Sequence, residues 1–281
     1  MTDSVGVPVP RDTPSGDALL IDLDADRGVT LERGFVAGWE SEVAGVRRVF
    51  EGRRIEGRPT LSMPSALLRG GRAVTFVKQE LVLYDDDLLS PLTTGSGYTW
   101  LAVVRLGIQQ PGWAMRERDL NAIFGNLRNG PQYEGFWAGV DEDGTLWAGP
   151  RNGRSFGRWN PDNPLLRGPR LEIGRFYVIA GRLGQGVAMA PAELFVGGRC
   201  VARAPFPVNP LATPSRLAIG QERDATDHPG KESFIGEIAR LLIWGRTLTD
   251  KELSGVQDAT AERYGLRSDD GCRPQDGSFE R

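Results

Sequence analysis

Short apolar runs broken by turn residues fill most of the chain. They fall at 19–23, 35–39, 46–50, 73–77 and 81–84, then in a longer stretch at 98–108. The series continues at 122–124, 134–140, 145–148, 176–180, 192–204, 216–220 and 234–244. These runs are rich in β-branched and aromatic residues, which fit a pleated, half-buried surface. Many short strands at regular spacing predict an all-β sandwich or barrel. No internal repeat of solenoid or propeller length is present. Two hairpins are written into the turns. Asp143-Gly144 joins 134–140 to 145–148, and Gly197-Gly198 interrupts 192–204. Both pairs supply the positive φ that tight hairpin turns require.

One stretch has a helical signature instead. Thr249 is an N-cap, and Glu252 three residues on completes a capping box. Leu248 and Leu253 form the matching hydrophobic staple, and Gly265 stops the helix. Leu253, Val256 and Tyr264 give it a thin apolar stripe, so a helix over 249–264 is expected to pack on the rim of the strand layers.

Composition narrows the function classes. The chain has 281 residues and a formal net charge of −3. That balance argues against a nucleic-acid partner, which would want a basic patch. All but three of the 34 basic residues are arginine. With one histidine, His228, His-rich metal sites are excluded and a Ser-His-Asp triad would have to use that residue. Cys200 and Cys272 make neither a disulfide framework nor a zinc site. No apolar run reaches the length of a membrane span, so no membrane insertion is expected. Residues 1–17 are rich in Pro, Asp, Ser and Gly, lack the apolar core of a signal peptide and read as a disordered lead-in. Residues 268–281 read as a disordered tail, leaving one domain over 18–267.

The final strand carries a resemblance. Phe234-Ile235-Gly236-Glu237-Ile238-Ala239-Arg240-Leu241-Leu242-Ile243-Trp244, followed by Gly245-Arg246-Thr247-Leu248-Thr249, resembles the closing strand and helix start of concanavalin A-like lectin domains. Arg58-Pro59-Thr60-Leu61 and Gly71-Arg72-Ala73-Val74-Thr75-Phe76 resemble an N-terminal segment of bacterial members. The likeness covers roughly 19–266. It implies an antiparallel two-sheet jelly-roll sandwich with one C-terminal rim helix. It also implies an extracellular binding role toward a glycan or protein ligand, in many members with calcium. Leu217-Ala218-Ile219-Gly220-Gln221-Glu222-Arg223-Asp224 and Ser233-Phe234 look like the laminin G-like, pentraxin-like branch, where the corresponding loop supplies calcium ligands.

Four groups of residues are candidates for chemistry. Glu222, Asp224, Asp227 and Glu232 put four carboxylates within eleven residues, and calcium takes 6–8 oxygen ligands. The resemblance assigns Glu222, Asp224, Glu232 and the Arg223 carbonyl to that ion. Lys231 and Arg223 depart from the pattern, as does Gln132-Tyr133 where that branch has an Asp-Asn pair; ion pairing within a solvated loop is the competing account. Trp137 and Trp147 on adjacent strands, with Trp113 and Trp159 in loops beside Arg116, Arg118 and Arg158, are candidate sugar-stacking rings; filling a core is the alternative. Trp39, Trp100 and Trp244 are expected in the core. Catalytic carboxylates are not evident, since Asp85-Asp86-Asp87 and Asp141-Glu142-Asp143 sit in turns and no strand carries the acidic motif of the glucanase branch. The Gly-rich run Gly181-Arg182-Leu183-Gly184 leads into no helix and so lacks a phosphate-loop context. The sequence therefore points to a non-catalytic module that binds a glycan or a protein, with calcium as its candidate cofactor. A glycan-active enzyme and a surface or virion assembly protein remain the alternatives.

Overall fold

The computed structural model describes residues 18–52, 57–84, 88–93, 95, 97–109, 121–128, 134–153, 164–209, 216–221 and 233–266. Seventeen strands and one α-helix follow one another along them. The strands are β1 (Leu19–Asp24), β2 (Val29–Glu32), β3 (Phe35–Val43), β4 (Val46–Glu51), β5 (Thr60–Leu61), β6 (Val74–Val77), β7 (Leu81–Leu83) and β8 (Tyr98–Leu106). Then come β9 (Asn121–Gly125), β10 (Glu134–Val140), β11 (Thr145–Asn152), β12 (Leu166–Arg170), β13 (Phe176–Leu183), β14 (Met189–Val196) and β15 (Arg199–Pro207). β16 (Ala218–Ile219), β17 (Ile235–Trp244) and α1 (Asp250–Tyr264) close the series.

Every strand pairing is antiparallel, and the strands form two layers. In the first, β17 is central. β8 runs along one side of it, while β6 and β1 share the other, beside its first and second halves respectively. β13, β14 and β15 continue outward from β8. The second layer runs β4-β7-β16-β9-β10-β11-β12. β3 pairs with β1, β2, β4 and β5, so it turns the corner between the layers. This is the expected jelly-roll sandwich. Its central core holds Trp39, Trp100, Phe50, Phe76, Phe124 and Phe136, all at most 2% exposed.

α1 covers the outside of the first layer. Leu253, Val256, Ala261 and Tyr264 pack with Leu101, Val103, Val178, Leu242 and Trp244. Its N-terminus is built as the sequence predicts. The Glu252 backbone N–H donates to Thr249 Oγ1 at 3.3 Å, and the Thr249 N–H donates to Glu252 Oε2 at 2.8 Å. Gly265, at φ 68°, ends it in the left-handed region. Arg182 on β13 ties this end to the sheet, donating to the Leu248 carbonyl at 2.9 Å and pairing with Asp250 at 2.7 Å. The turn at Gly197-Gly198 has φ values of 56° and 81°, as a two-residue hairpin needs.

No helix among the described residues is long and apolar enough to cross a membrane.

Candidate binding site

The outer face of the second layer is built around the β10–β11 hairpin. Its register sets Trp137 opposite Gly149 and Trp147 opposite Gly139, and Arg151 opposite Gly135. Successive side chains alternate between faces, so Trp137, Trp147 and Arg151 share one face while Phe136, Ala138 and Leu146 point into the core. Each tryptophan therefore lies beside a glycine across the hairpin. The indoles meet edge to face, with centroids 4.7 Å apart at 70°. Gly139 is required by this contact: a Cβ there would sit 2.4 Å from Trp147 Cζ2 and 2.6 Å from the Asn121 carbonyl oxygen.

This geometry corrects one expectation. Trp137 and Trp147 are 3% and 0% exposed, packed with Leu127 and Leu165. They form a second, smaller core on the outer face and present no ring to solvent for sugar stacking. The physical reason is that strand β10 is buried on both faces from Gly135 to Val140, so neither side of the hairpin is a free surface.

Polar groups flank the tryptophan pair. Arg151 is 1% exposed. At the hairpin turn Asp141, also 1% exposed, accepts from Arg167 at 2.5 Å. At the other end Asn126 Oδ1 accepts the Phe136 N–H at 2.7 Å, and Asn209 Nδ2 donates to the Asn152 carbonyl at 2.5 Å. Sequence reading missed Arg151, Asn126 and the Asp141–Arg167 pair. The signal for Arg151 was available: counting by twos from Trp147 through Gly149 places it on the tryptophan face.

The other candidates, Trp113, Arg158, Trp159, Glu222, Asp224, Asp227 and Glu232, lie outside the described residues, as do Arg223, Lys231, His228 and Cys272. Their anchors do not. Gln109, before 110–120, donates through Nε2 to the Ile235 carbonyl at 2.6 Å and accepts the Ile235 N–H at 3.2 Å. Ser233, after 222–232, bridges to both Ala122 and Gln221. The segment with Trp113 and the segment with the four acids thus start and end at neighbouring points on one rim. The segment with Arg158 and Trp159 starts at Gly153, at the opposite end of the β10–β11 hairpin, and ends at Pro164, whose carbonyl lies beside Gly149 midway along β11. Among the described residues no cluster of three or more His, Cys, Asp or Glu side chains is placed to hold a metal ion.

No protein-family profile matches the chain, and no curated protein matches it in sequence. Solved structures do match its fold. The binding domain of paraclostridial mosquitocidal protein 1 aligns with 89% of this chain and 55% of its own, at 10% identity and a TM-score of 0.56. A Trypanosoma rangeli sialidase in complex with 2,3-difluorosialic acid aligns with 92% of this chain and 34% of its own, at 13% identity and a TM-score of 0.51. A heptameric SAP-like pentraxin from Limulus polyphemus aligns with 58% of this chain and 70% of its own, at 20% identity and a TM-score of 0.40. The chain spans about half the length of the first of these and a third of the second. The fold is a jelly-roll β-sandwich shared with these structures.

Proposed function

We propose that this chain is a non-catalytic glycan-binding module whose ligand is held at the rims of the second layer. The observation that carries this reading is the outer face of β10–β11. A buried tryptophan pair and a buried arginine make a rigid floor, and the segments bearing Trp113, Arg158 and Trp159 start at its two ends. Rigid frames that carry their binding residues on connecting segments are the usual arrangement for recognition. Two fold neighbours lend support: one is the binding domain of a mosquitocidal protein, and the other is a sialidase in complex with a sialic acid derivative, about a third of which aligns with this chain. Sialylated glycans are therefore the first class to test, and their carboxylate suits the planar donor fork of arginine.

Calcium is part of the proposal. Glu222, Asp224, Asp227 and Glu232 are oxygen donors of the type a hard cation takes, on a segment anchored next to the one carrying Trp113.

A glycan array containing sialylated structures and their asialo counterparts, probed with calcium and again with chelator, tests the reading. Binding to a defined glycan group is expected, weakened in Trp113→Ala, Trp159→Ala or Arg158→Ala without loss of thermal stability. Absence of binding under both conditions would overturn glycan recognition and favour a protein ligand.

A further inference from the structure

A cavity of about 420 Å³ lies on the opposite side of the sandwich, between α1 and the outer face of β13. Tyr177 and Val178 of β13 line it, with Gln257 of α1, Leu266 just past the helix, Gly198 of the β14–β15 turn and Arg199 at the start of β15. Gly265, at φ 68°, turns the chain off the helix axis, and the Leu266 N–H donates to the Ala261 carbonyl at 2.8 Å. Leu266 is the last described residue, so the chain from 267 onward leaves from the wall of this cavity.

The opposite wall leads to a thiol. Cys200 follows Arg199 in β15 and is exposed. It lies opposite Phe195 across the β14–β15 hairpin, and residues opposite one another in a sheet share a face. Phe195 belongs to the apolar cluster beneath α1, so the thiol is on the helix side of the sheet. Glu193 and Arg182, whose charges act on it, face the same way, since Arg182 pairs with both Glu193 and Asp250 of the helix. The chain has one other cysteine, Cys272, six residues beyond Leu266. Six extended residues reach roughly 20 Å, enough to cross a cavity that Leu266 and Arg199 both line. The mouth is open at the turn, where a Cβ added to Gly198 would meet nothing within 4 Å. Two cysteines make no framework, but one bond needs only two.

We propose that the chain's own residues 267–271 cross this cavity and that Cys272 closes a disulfide with Cys200. The oxidant is a low-molecular-weight disulfide such as glutathione disulfide. Partial burial, and then the Glu193 carboxylate, push the Cys200 thiol up, so Cys272 attacks first. Its thiolate displaces one thiolate from the oxidant; the Cys200 thiolate then attacks the Cys272 sulfur and displaces the second. One S–S bond breaks and one forms, the two cysteines lose two hydrogens, and the oxidant becomes two thiols. The bond favours the folded chain. There it closes only the few residues after Leu266, whereas in the unfolded chain it closes a loop of about 70 residues. The cavity is separate from the rims proposed to hold glycan, and neither reading depends on the other.

The test equilibrates the full chain in a fixed mixture of reduced and oxidised glutathione, once in buffer and once in urea, followed by acid quenching and mass spectrometry of tryptic peptides. Peptide 200–203 joined to peptide 268–281 is the expected product. The ratio of bridged to reduced chain should be at least about tenfold higher in buffer than in urea, since folding brings the two sulfurs together. By the same cycle, bridged wild type should melt about 5 °C above the reduced form. Cys200→Ser, at an exposed position, and Cys272→Ser should both melt with the reduced wild type whether or not oxidant is present. Equal ratios in buffer and urea would overturn the proposal, as would glutathione carried separately on both cysteines. A disulfide that joins two chains, seen as a dimer on a non-reducing gel, would overturn it too and make a second copy the partner of Cys200.

Discussion

Trp147→Ala separates a core role from a ligand-stacking role. The ring is fully buried and sits edge to face on Trp137. Truncating a buried tryptophan to alanine costs about 3–5 kcal/mol, more when the surroundings cannot close the gap. Here they cannot close it easily. The residue opposite is Gly139, which has no side chain to lean in, and its backbone is fixed between β9 and β11. The expected loss is therefore in the upper half, about 4–5 kcal/mol, part of it the ring-on-ring contact, worth about 0.5–1.5 kcal/mol. For a domain of this size that lowers the melting temperature by about 10 °C. Urea unfolding followed by circular dichroism gives the free energy, and the same sample can be put on the glycan array. A complementary variant, Gly139→Ala, should also destabilise, since its Cβ would lie 2.4 Å from Trp147. Combined with Trp147→Ala its cost should shrink, although the Asn121 carbonyl oxygen at 2.6 Å still obstructs it. If Trp147→Ala instead keeps its melting temperature within about 1 °C and abolishes ligand binding, the ring is a ligand platform and the burial argument fails.

The helix cap carries a pH signature. Arg246, and then the backbone and hydroxyl of Thr249, hold the Glu252 carboxyl at about 2. Its folded value is depressed, so its contribution is complete above the ordinary glutamate value of about 4.3 and is lost as pH falls toward 2. Glu252→Gln should flatten the wild-type fall in melting temperature across that window; parallel curves for the two proteins would contradict it. Thr249→Ala should cost about 1 kcal/mol at neutral pH, read by thermal or urea unfolding, and no loss would mean the cap contributes nothing. Calcium at a hundredfold excess over its dissociation constant should stabilise wild type by about 2.7 kcal/mol and leave Asp224→Ala unmoved; a wild-type melting curve identical in calcium and in chelator would dispose of the metal site.

The frame was largely legible because its strands are separated by turn chemistry and its helix by caps. Three strands escaped notice, each for a local reason. β12 is Leu-Arg-Gly-Pro-Arg, and Gly168 with Pro169 reads as a turn; the strand is tolerated because it lies at the edge of its layer, paired only to β11. β2 is exposed along most of its length, and β5 is two residues long. The floor of the candidate site was half legible. Adjacent strands placed Trp137 and Trp147 together, but which way they face could not be read. A strand with one wet face alternates apolar and polar residues; β10 is buried on both, so Phe136 and Trp137 carry the same signal. The cavity beneath α1 was invisible in sequence, since its lining comes from β13, the β14–β15 turn and the helix, which meet only in the fold.

The two rims make a last prediction possible, about which residues share a ligand. Trp113 lies four residues beyond Gln109, and Asp224 three beyond Gln221; Gln109 is bonded to Ile235, and Gln221 bridges to Ser233 two residues away. Trp159 belongs to the segment that leaves the far end of β10 at Gly153. The seven residues Glu134–Val140, at about 3.3 Å each, put roughly 20 Å between the rims. Substitutions more than about 7–10 Å apart add within about 0.3–0.5 kcal/mol, whereas those sharing a partner depart from additivity by about 0.5–3 kcal/mol. Calorimetric affinities for a glycan identified on the array should therefore show Trp113→Ala and Asp224→Ala coupled, and Trp113→Ala and Trp159→Ala additive. Coupling of the second pair with additivity of the first would mean that one ligand spans the floor from rim to rim, and that the acidic segment serves the fold rather than the ligand.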